Sequence, residues 1–418
     1  MNEHVSISRL AVVLSHPTQY YSPWFRWLAA HTDIEFRVFY LWEFGVTAQT
    51  DPQFRTTLKW DVDLLSGYPR EFVPNTAVRP GTDHFDGLRN PTLIPRLAAF
   101  RPDAILLFGY AYRSHLQVIL WARLRRTPLL FRGDSHFIGR GIPPLWTRLA
   151  LRLLYSQFAA CLPVGAANRD YFLTLGVTPA RLHFAPHSVN AALFDPGAPA
   201  PRAAAVLLRA QLGLGPATRV ILFAGKFVPA KQPRELLAAF LALRPADTAL
   251  VFVGDGEEKA ALRTLAHPAP PGSVYFLPFA NQSEMPARYL LADLFVLPSR
   301  GFYETWGLAI NEAMHLGVPC LVSDRVGCQR DLVTDGETGW VFSAEDPAAL
   351  VAALARALAT LADPVARDRI CSAVTDRIGG GALAGLRRAC GGGLGTHRFL
   401  PACGSQLNII AIVISRCT

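Results

Sequence analysis

Residues 294–323, LFVLPSRGFYETWGLAINEAMHLGVPCLVS, combine two apolar runs with a loop of small residues and a stretch of helical length. The runs Leu294–Pro298 and Pro319–Ser323 have the length and composition of buried strands, and Leu308–Leu316 has that of a helix. A strand, a helix and a second strand in this order form the crossover unit of a parallel sheet. The stretch therefore predicts an α/β protein with doubly wound, Rossmann-like sheets.

The same alternation extends in both directions along the chain. Because a single hydrophobic core stops growing at roughly 250–300 residues, the 418 residues predict two domains. We place them at residues 1–190 and 217–375, joined by a Pro- and Ala-rich linker at 191–216 that is predicted to be loop. Ser22 is predicted to cap the first helix. The predicted strands, besides the two quoted above, are Leu10–Ser15, Glu35–Tyr40, Asp103–Phe108, Pro128–Phe131, Ala159–Pro163, Arg219–Ala224, Ala249–Val253 and Val274–Leu277.

The loop before the helix at Leu308 is a candidate anion site. The first amides of a helix are unpaired and lie at the positive end of its dipole, which suits a diphosphate. Thr305, Gly307 and Leu308 would line this site, with Gly307 allowing close approach of the phosphate. Glu304 and Glu312 place one carboxylate before the helix and one within it, and each can accept hydrogen bonds from a sugar diol. The alternative is that both are ordinary surface residues.

A second candidate element follows the strand Arg219–Ala224. Gly225 allows close backbone approach, and Lys226 and Lys231 place two ammonium groups at the carboxyl end of that strand, where parallel sheets bind ligands. Two cations there would stabilise a departing diphosphate. Gly254, after the next strand, could line the same crevice, although an ordinary tight turn would explain it equally well.

These motifs together resemble glycosyltransferase family 4, the retaining enzymes of the two-domain GT-B fold that use sugar nucleotides. The resemblance covers residues 219–354 and rests on FAGKFVPAKQP, VFVGDGEE, YLLADLFVLPS, YETWGLAINEAMHLGVPCLVS and DGETGWVF. It implies that Glu312 binds the ribose and Glu304 the transferred sugar. The amides near Gly307 and Leu308, with Lys226 and Lys231, would hold the diphosphate of a UDP- or GDP-sugar. It also implies that no catalytic metal or other cofactor is needed.

The N-terminal half departs from the family pattern. The loop after the first strand, residues 15–21, lacks the glycine pair that many members carry. Where many members have a histidine, this chain has Asp134, with His136 two residues later. Either side chain could contact the donor sugar or steer the acceptor, whereas structural hydrogen bonding in a polar loop is the alternative for His136.

The 41 basic and 32 acidic residues give a net charge of +9, which suits an anionic small molecule or an anionic membrane surface. No dense basic run with interleaved aromatics favours nucleic acid. Arginines between residues 113 and 152 could face lipid, although ordinary amphipathic helices would show the same pattern. We therefore expect a cytoplasmic protein, with contact at the inner face of the membrane left open, and a glycan or lipid-linked acceptor from polysaccharide or lipopolysaccharide synthesis.

The segment 376–418 is atypical, because it is rich in glycine and contains three of the seven cysteines, with a fourth just before it at Cys371. Residues 382–389 could form a helix that crosses back to the N-terminal domain. Three functions stay open: a transferase, another enzyme of this fold such as an epimerase or phosphorylase, and a catalytically impaired binder of nucleotide sugars.

Overall fold

The computed structural model describes residues 8–47, 49–51, 56–301 and 304–389. Phe302 and Tyr303 of the quoted stretch, and residues 390–418 of the atypical segment, lie outside the described residues.

The first domain is built on a six-stranded parallel sheet of order β5-β2-β1-β6-β7-β8. Strand β1 pairs with β2 on one side and β6 on the other, so the chain reverses its direction of winding between β1 and β6. Short strands β3 and β4 form a separate antiparallel pair. The elements are β1 (Arg9–Leu14), α1 (Ser22–His31), β2 (Glu35–Tyr40), β3 (Gln49–Asp51), β4 (Thr56–Leu58), β5 (Arg70–Phe72), α2 (Leu93–Phe100), β6 (Ala104–Phe108), α3 (Arg113–Arg125), β7 (Leu129–Arg132), α4 (Leu145–Tyr155), β8 (Ala160–Leu162) and α5 (Ala166–Thr174).

The second domain repeats this plan with a parallel sheet of order β11-β10-β9-β12-β13-β14. Here the winding reverses between β9 and β12, which pair directly. The elements are α6 (Pro199–Gln211), β9 (Arg219–Ala224), α7 (Pro233–Leu243), β10 (Thr248–Val253), α8 (Lys259–Leu265), β11 (Val274–Leu277), α9 (Met285–Leu290), β12 (Leu294–Leu297), α10 (Leu308–His315), β13 (Cys320–Ser323), α11 (Gln329–Leu332), β14 (Gly339–Phe342), α12 (Pro347–Ala362) and α13 (Pro364–Ala389).

The central strands of both sheets are buried on their two faces, which explains why they are continuous apolar runs and do not alternate. In the first domain α1 covers one face, through Trp24, Phe25 and Leu28. Helices α2, α3 and α5 cover the other face, and α4 contributes Tyr155 to the same layer. The prediction of two Rossmann-like, doubly wound parallel sheets is confirmed.

Two local predictions are wrong. The Pro- and Ala-rich linker contains α6, because proline is tolerated in the first helical turn and the alanines that follow favour helix. Ser22 does not cap α1; it lies inside the helix, and its buried hydroxyl donates a hydrogen bond to the Leu64 carbonyl at 2.8 Å.

The C-terminal helices pack on the second domain. Helix α13 contacts α10 and α12, and the Arg377 guanidinium donates hydrogen bonds to the Asp331 carbonyl at 2.6 and 3.1 Å. Residues 382–389 are helical as part of α13. Within the described ranges no single helix has the length and apolar character needed to cross a membrane. Residues 347–362 and 364–378, bent by 107°, meet those criteria only as a pair.

Candidate functional site

The candidate site lies at the carboxyl edge of the second sheet. Because the winding reverses between β9 and β12, the loops that follow these strands leave in opposite directions and open a crevice between them. The loop after β9 carries Lys226 and Lys231, and the loop after β12 carries Glu304. Lys231 and Glu304, which are 73 positions apart in the sequence, are therefore brought into contact.

Glu304 and Lys231 form an ion pair in this crevice. The Glu304 side chain is only 11 % exposed, and that of Lys231 is 29 % exposed. The Ser299 hydroxyl, at the end of β12, donates a second hydrogen bond to the same carboxylate oxygen at 2.8 Å. One carboxylate oxygen thus holds both partners, which leaves the other oxygen to accept from a ligand.

The loop around Glu304 is fixed by the segment after β13. The Gly327 amide donates to the Glu304 carbonyl at 3.1 Å, and the Cys328 amide donates to the Trp306 carbonyl at 2.8 Å. A Cβ atom on Gly327 would lie 1.8 Å from the Thr305 carbonyl oxygen, so only glycine allows this approach. Sequence analysis missed Gly327, which lies four residues after the end of β13, although a loop glycine is a signal of close backbone approach.

Gly307 and Leu308 begin helix α10 as predicted. Gly307 has φ +97°, a left-handed conformation that favours glycine. A Cβ atom there would lie 2.8 Å from Val326 and 3.3 Å from Leu297. Backbone conformation and packing against these two side chains are therefore sufficient to explain the glycine, without the close ligand approach that the sequence suggested.

The glycines after β9 and β10 bring two loops together. The Gly225 amide donates to the Val253 carbonyl at 3.0 Å, and a Cβ atom on Gly254 would lie 2.0 Å from the Gly225 carbonyl oxygen. Gly254 is thus required by contact with the loop that carries Lys226. The Lys226 side chain is half-buried beside it.

Glu312 is buried within α10 and accepts hydrogen bonds from three neutral donors. Its Oε1 accepts from the Tyr20 hydroxyl at 3.0 Å and the Gln282 amide at 3.3 Å, and its Oε2 accepts from the Tyr289 hydroxyl at 2.7 Å. Burial raises the pKa of Glu312 above its ordinary value, and these hydrogen bonds only partly oppose the effect. Tyr20 comes from the loop after β1, so this contact crosses between the domains.

Asp134 and His136 contact the Glu304 loop from the first domain. The Thr305 hydroxyl donates to the Asp134 carboxylate at 2.8 Å, and His136 Nε2 donates to the Glu304 carbonyl at 3.4 Å. Burial would raise the pKa of Asp134, but hydrogen bonding and charge from His187 and the Thr305 hydrogen bond lower it below its ordinary value. His187, which sequence analysis missed, is buried with its Nε2 at 3.8 Å from Asp134.

The structure thus brings most of the predicted residues to one crevice between the domains. Glu304, Lys231, Thr305, Asp134 and His136 are joined by direct contacts. Gly225, Lys226 and Gly254 lie in the adjoining loops, and Gly307, Leu308 and Glu312 lie on α10. Over the described ranges, no group of three or more His, Cys, Asp or Glu side chains is arranged to hold a metal ion.

The raised pKa of Glu312 leads to a testable expectation about stability. A carboxyl whose folded pKa is raised contributes stability below its unfolded pKa, and that contribution is lost as the pH rises through the folded pKa. We expect Glu312→Gln to melt at a higher temperature than the wild type at pH 8, by roughly 2–4 °C for each 1 kcal/mol recovered. The gain should shrink at pH 5. A variant that melts lower at both pH values would show that the three hydrogen bonds outweigh the cost of burial.

Part of the chain is similar in sequence to known glycosyltransferases. Residues 207–368 match the family model described as Glycosyl transferases group 1. The chain is 34 % identical over 223 residues to a D-inositol 3-phosphate glycosyltransferase of Salinispora arenicola, covering 49 % of each chain. It is 32 % identical over 260 residues to a GDP-mannose-dependent alpha-(1-6)-phosphatidylinositol monomannoside mannosyltransferase of Mycolicibacterium smegmatis, covering 60 % of this chain and 66 % of that one.

The fold extends over most of the chain. The crystal structure of Alr3699/HepE from Anabaena in complex with UDP-glucose superposes with a TM-score of 0.59 at 18 % identity, covering 90 % of this chain and 99 % of that one. By sequence, the chain spans about half the length, or less, of the first curated relatives it matches. The chain has the GT-B fold, and its residues 207–368 are similar to the group 1 glycosyl transferases.

Proposed function

We propose that the chain is a glycosyltransferase that moves a sugar from a nucleoside diphosphate sugar to an acceptor hydroxyl, in the manner of family 4. The observation that carries this proposal is the Glu304–Lys231 ion pair at the point where the second sheet reverses its winding. A largely buried acid and a cation at this position can hold a sugar hydroxyl and a phosphate side by side. The related proteins named above as using GDP-mannose or binding UDP-glucose support a nucleotide-sugar donor.

In this proposal the donor lies along the β9–β12 crevice. Lys226 and Lys231 hold the diphosphate, with the backbone at Gly225, Gly254, Thr305, Gly307 and Leu308 lining its path. Glu304 contacts the transferred sugar and Glu312 the ribose diol. Since the Tyr20 hydroxyl already bonds Glu312, the ribose takes its place when the first domain moves away from the second.

The proposed chemistry needs orientation and charge stabilisation more than a protein nucleophile. The bond between the sugar C1 and the diphosphate oxygen breaks, and its electron pair leaves with the nucleoside diphosphate. The acceptor oxygen forms the new bond to C1 from the same face, and its proton passes to the departing phosphate. Lys231 stabilises the charge that grows on that phosphate, while Asp134 and His136 orient sugar or acceptor hydroxyls. No step in this scheme calls on a metal ion or a further cofactor.

For the acceptor we propose a glycan or glycolipid intermediate of the cell envelope, used in the cytoplasm at the inner face of the membrane. Phosphatidylinositol monomannoside in the name of one relative is a lipid-linked acceptor of this chemical class. The first domain would bind it, because the crevice opens between that domain and the donor loops.

The test is a product analysis with purified protein. UDP- and GDP-sugars are supplied singly, with and without lipid-linked acceptors, and products are identified by mass. Transfer predicts that nucleoside diphosphate and a heavier acceptor appear together, and only when both substrates are present. A new sugar-nucleotide isomer formed without acceptor would identify an epimerase instead, and a failure of any nucleotide sugar to bind would overturn the proposal.

A further inference from the structure

Helices α3 and α4 expose an unusual amount of apolar surface. They and the loop before α4 carry eight of the thirteen exposed large hydrophobic side chains among the described residues. Trp146 is 80 % exposed, Leu124 is 75 % exposed and Leu153 is 69 % exposed. We call this surface the α3–α4 face, and its apolar members are Leu116, Leu120, Leu124, Ile142, Leu145, Trp146, Leu149 and Leu153.

The spacing of these residues places them on the outer sides of two neighbouring helices. Leu116, Leu120 and Leu124 recur every four residues on α3, so they share one side of that helix. Both helices pack inward on the same layer, through Val118 on α3 and Tyr155 on α4. The Arg123 guanidinium donates to the Gln157 amide oxygen at 3.1 Å, which joins the end of α3 to the segment after α4. The two apolar stripes therefore lie on the outer sides of neighbouring helices whose carboxyl ends are joined.

The charge of this surface has a single sign. Between residues 113 and 156 the sequence has eight arginines and one acidic residue, Asp134. Arg132 is buried and Arg113 forms an ion pair with Asp86, so the positive charge of this surface comes from the other six arginines. Asp134 is turned toward the second domain, where it accepts the Thr305 hydrogen bond. The α3–α4 face is therefore apolar and flanked by cations, which is the composition of a helix surface that lies on an anionic bilayer.

A basic recess adjoins the face. It has a volume of about 580 Å³ and lies between the ends of α3 and α4. Arg123, Arg126 and Arg181 line it, and Arg181 is anchored by donating to the Tyr155 carbonyl at 2.6 Å. Leu124 lies between Arg123 and Arg126 in the sequence, so apolar and guanidinium groups occur at the same end of the face.

We propose that the α3–α4 face docks on an anionic lipid bilayer, with a lipid phosphate bound in the recess lined by Arg123 and Arg126. A second copy of this chain fits less well, because a twofold interface would place arginines against arginines. Exposed tryptophan beside arginine is suited to the interface between headgroups and acyl chains.

The position of the face gives it a role in the proposed reaction. Helices α3 and α4 follow β6 and β7, so both start at the carboxyl edge of the first sheet, where Asp134 and His136 lie. Docking would hold the crevice near the bilayer surface, where a lipid-linked acceptor is presented. This role rests on the proposed function, whereas docking itself does not.

The experiment measures sedimentation of the full chain with phosphatidylcholine vesicles, with and without phosphatidylglycerol. We expect wild-type protein to bind only the vesicles that contain phosphatidylglycerol, and less at high salt. Trp146→Gln with Leu153→Gln should weaken binding by about tenfold or more. Arg123→Gln with Arg126→Gln should weaken it by roughly twentyfold.

The matched control is Val206→Gln with Leu207→Gln on α6, because these two side chains are also exposed and apolar but lie on the second domain. Its vesicle binding should equal that of the wild type. The proposal would be overturned if the control variant lost as much vesicle binding as the docking variants, or if the wild-type protein bound both vesicle types equally. It would also be overturned if the protein formed dimers that Trp146→Gln dissociates.

UDP- and GDP-sugar binding by the docking variants, measured in solution, should be unchanged. If neither the wild-type protein nor the variants bind a nucleotide sugar, the proposed function is wrong, but the docking proposal is not affected.

Discussion

Replacing Glu304 by glutamine is expected to lower kcat/KM for sugar transfer by ~10²–10³-fold, with the fold intact. The substitution keeps the shape of the side chain, and the Ser299 hydroxyl can still donate to the amide oxygen. It removes the charge that holds Lys231 in the crevice. Lys231 then loses its fixed position, and both the sugar hydroxyl and the diphosphate lose a partner. Initial rates with the donor and acceptor found in the product analysis would measure the effect.

Glu345→Gln is the matched control for this variant. Glu345 also pairs with basic residues of the second domain, Arg300 and Arg325, but its side chain is 58 % exposed. Exposed pairs contribute little to stability, so transfer by this variant should stay close to the wild-type rate. Wild-type rates from Glu304→Gln would show that the ion pair has no part in the reaction.

The second large effect is expected from Gly327→Ala. The added methyl carbon would lie 1.8 Å from the Thr305 carbonyl oxygen and 2.5 Å from its carbonyl carbon. Since both atoms belong to the backbone, the loop that carries Glu304 must move. A displacement of about 1 Å in a positioning element costs on the order of 100-fold in rate, and overpacking of this kind costs about 1–3 kcal/mol in stability. Transfer rates and the free energy of unfolding would report the two effects.

Gly215→Ala separates this steric effect from the general cost of losing a glycine. At Gly215 an added Cβ atom would meet only the Thr218 hydroxyl, at an ordinary 3.7 Å. This control should retain wild-type rates. If Gly327→Ala also retains them, the contact between the segment after β13 and the Glu304 loop does not position the site.

Much of the sheet architecture could be predicted from the sequence because buried parallel strands are continuous apolar runs. The bounds predicted for Glu35–Tyr40, Arg219–Ala224 and Val274–Leu277 agree with β2, β9 and β11. Strand β5, with the sequence REF, was missed because it has three residues and lies at the edge of its sheet. Helix α6 was missed because its first-turn prolines suggest a linker when no tertiary contact is known.

The candidate site could be predicted only where its residues lie close together in sequence. Glu304, Thr305, Gly307 and Glu312 fall within nine positions, so their pattern was visible. Tyr20 contacts Glu312 from 292 positions away, and His187 reaches Asp134 from 53 positions away. No local pattern marks such partners, because they are brought in by the strand order and by the meeting of two domains.

Glu304 and Glu312 are bound by side chains from corresponding loops of the two domains. Lys231, in the loop after β9, belongs to the same domain as Glu304, whereas Tyr20, in the loop after β1, belongs to the opposite domain from Glu312. Separating the lobes therefore breaks the Tyr20–Glu312 bond, together with the contacts of Asp134 and His136 to the Glu304 loop, and leaves the Lys231–Glu304 pair assembled. An opened molecule has one acidic group ready to accept a new hydroxyl and one still neutralised. The ribose end of an arriving donor, which lies nearer Glu312, would therefore bind more readily than the sugar end, which lies nearer Glu304.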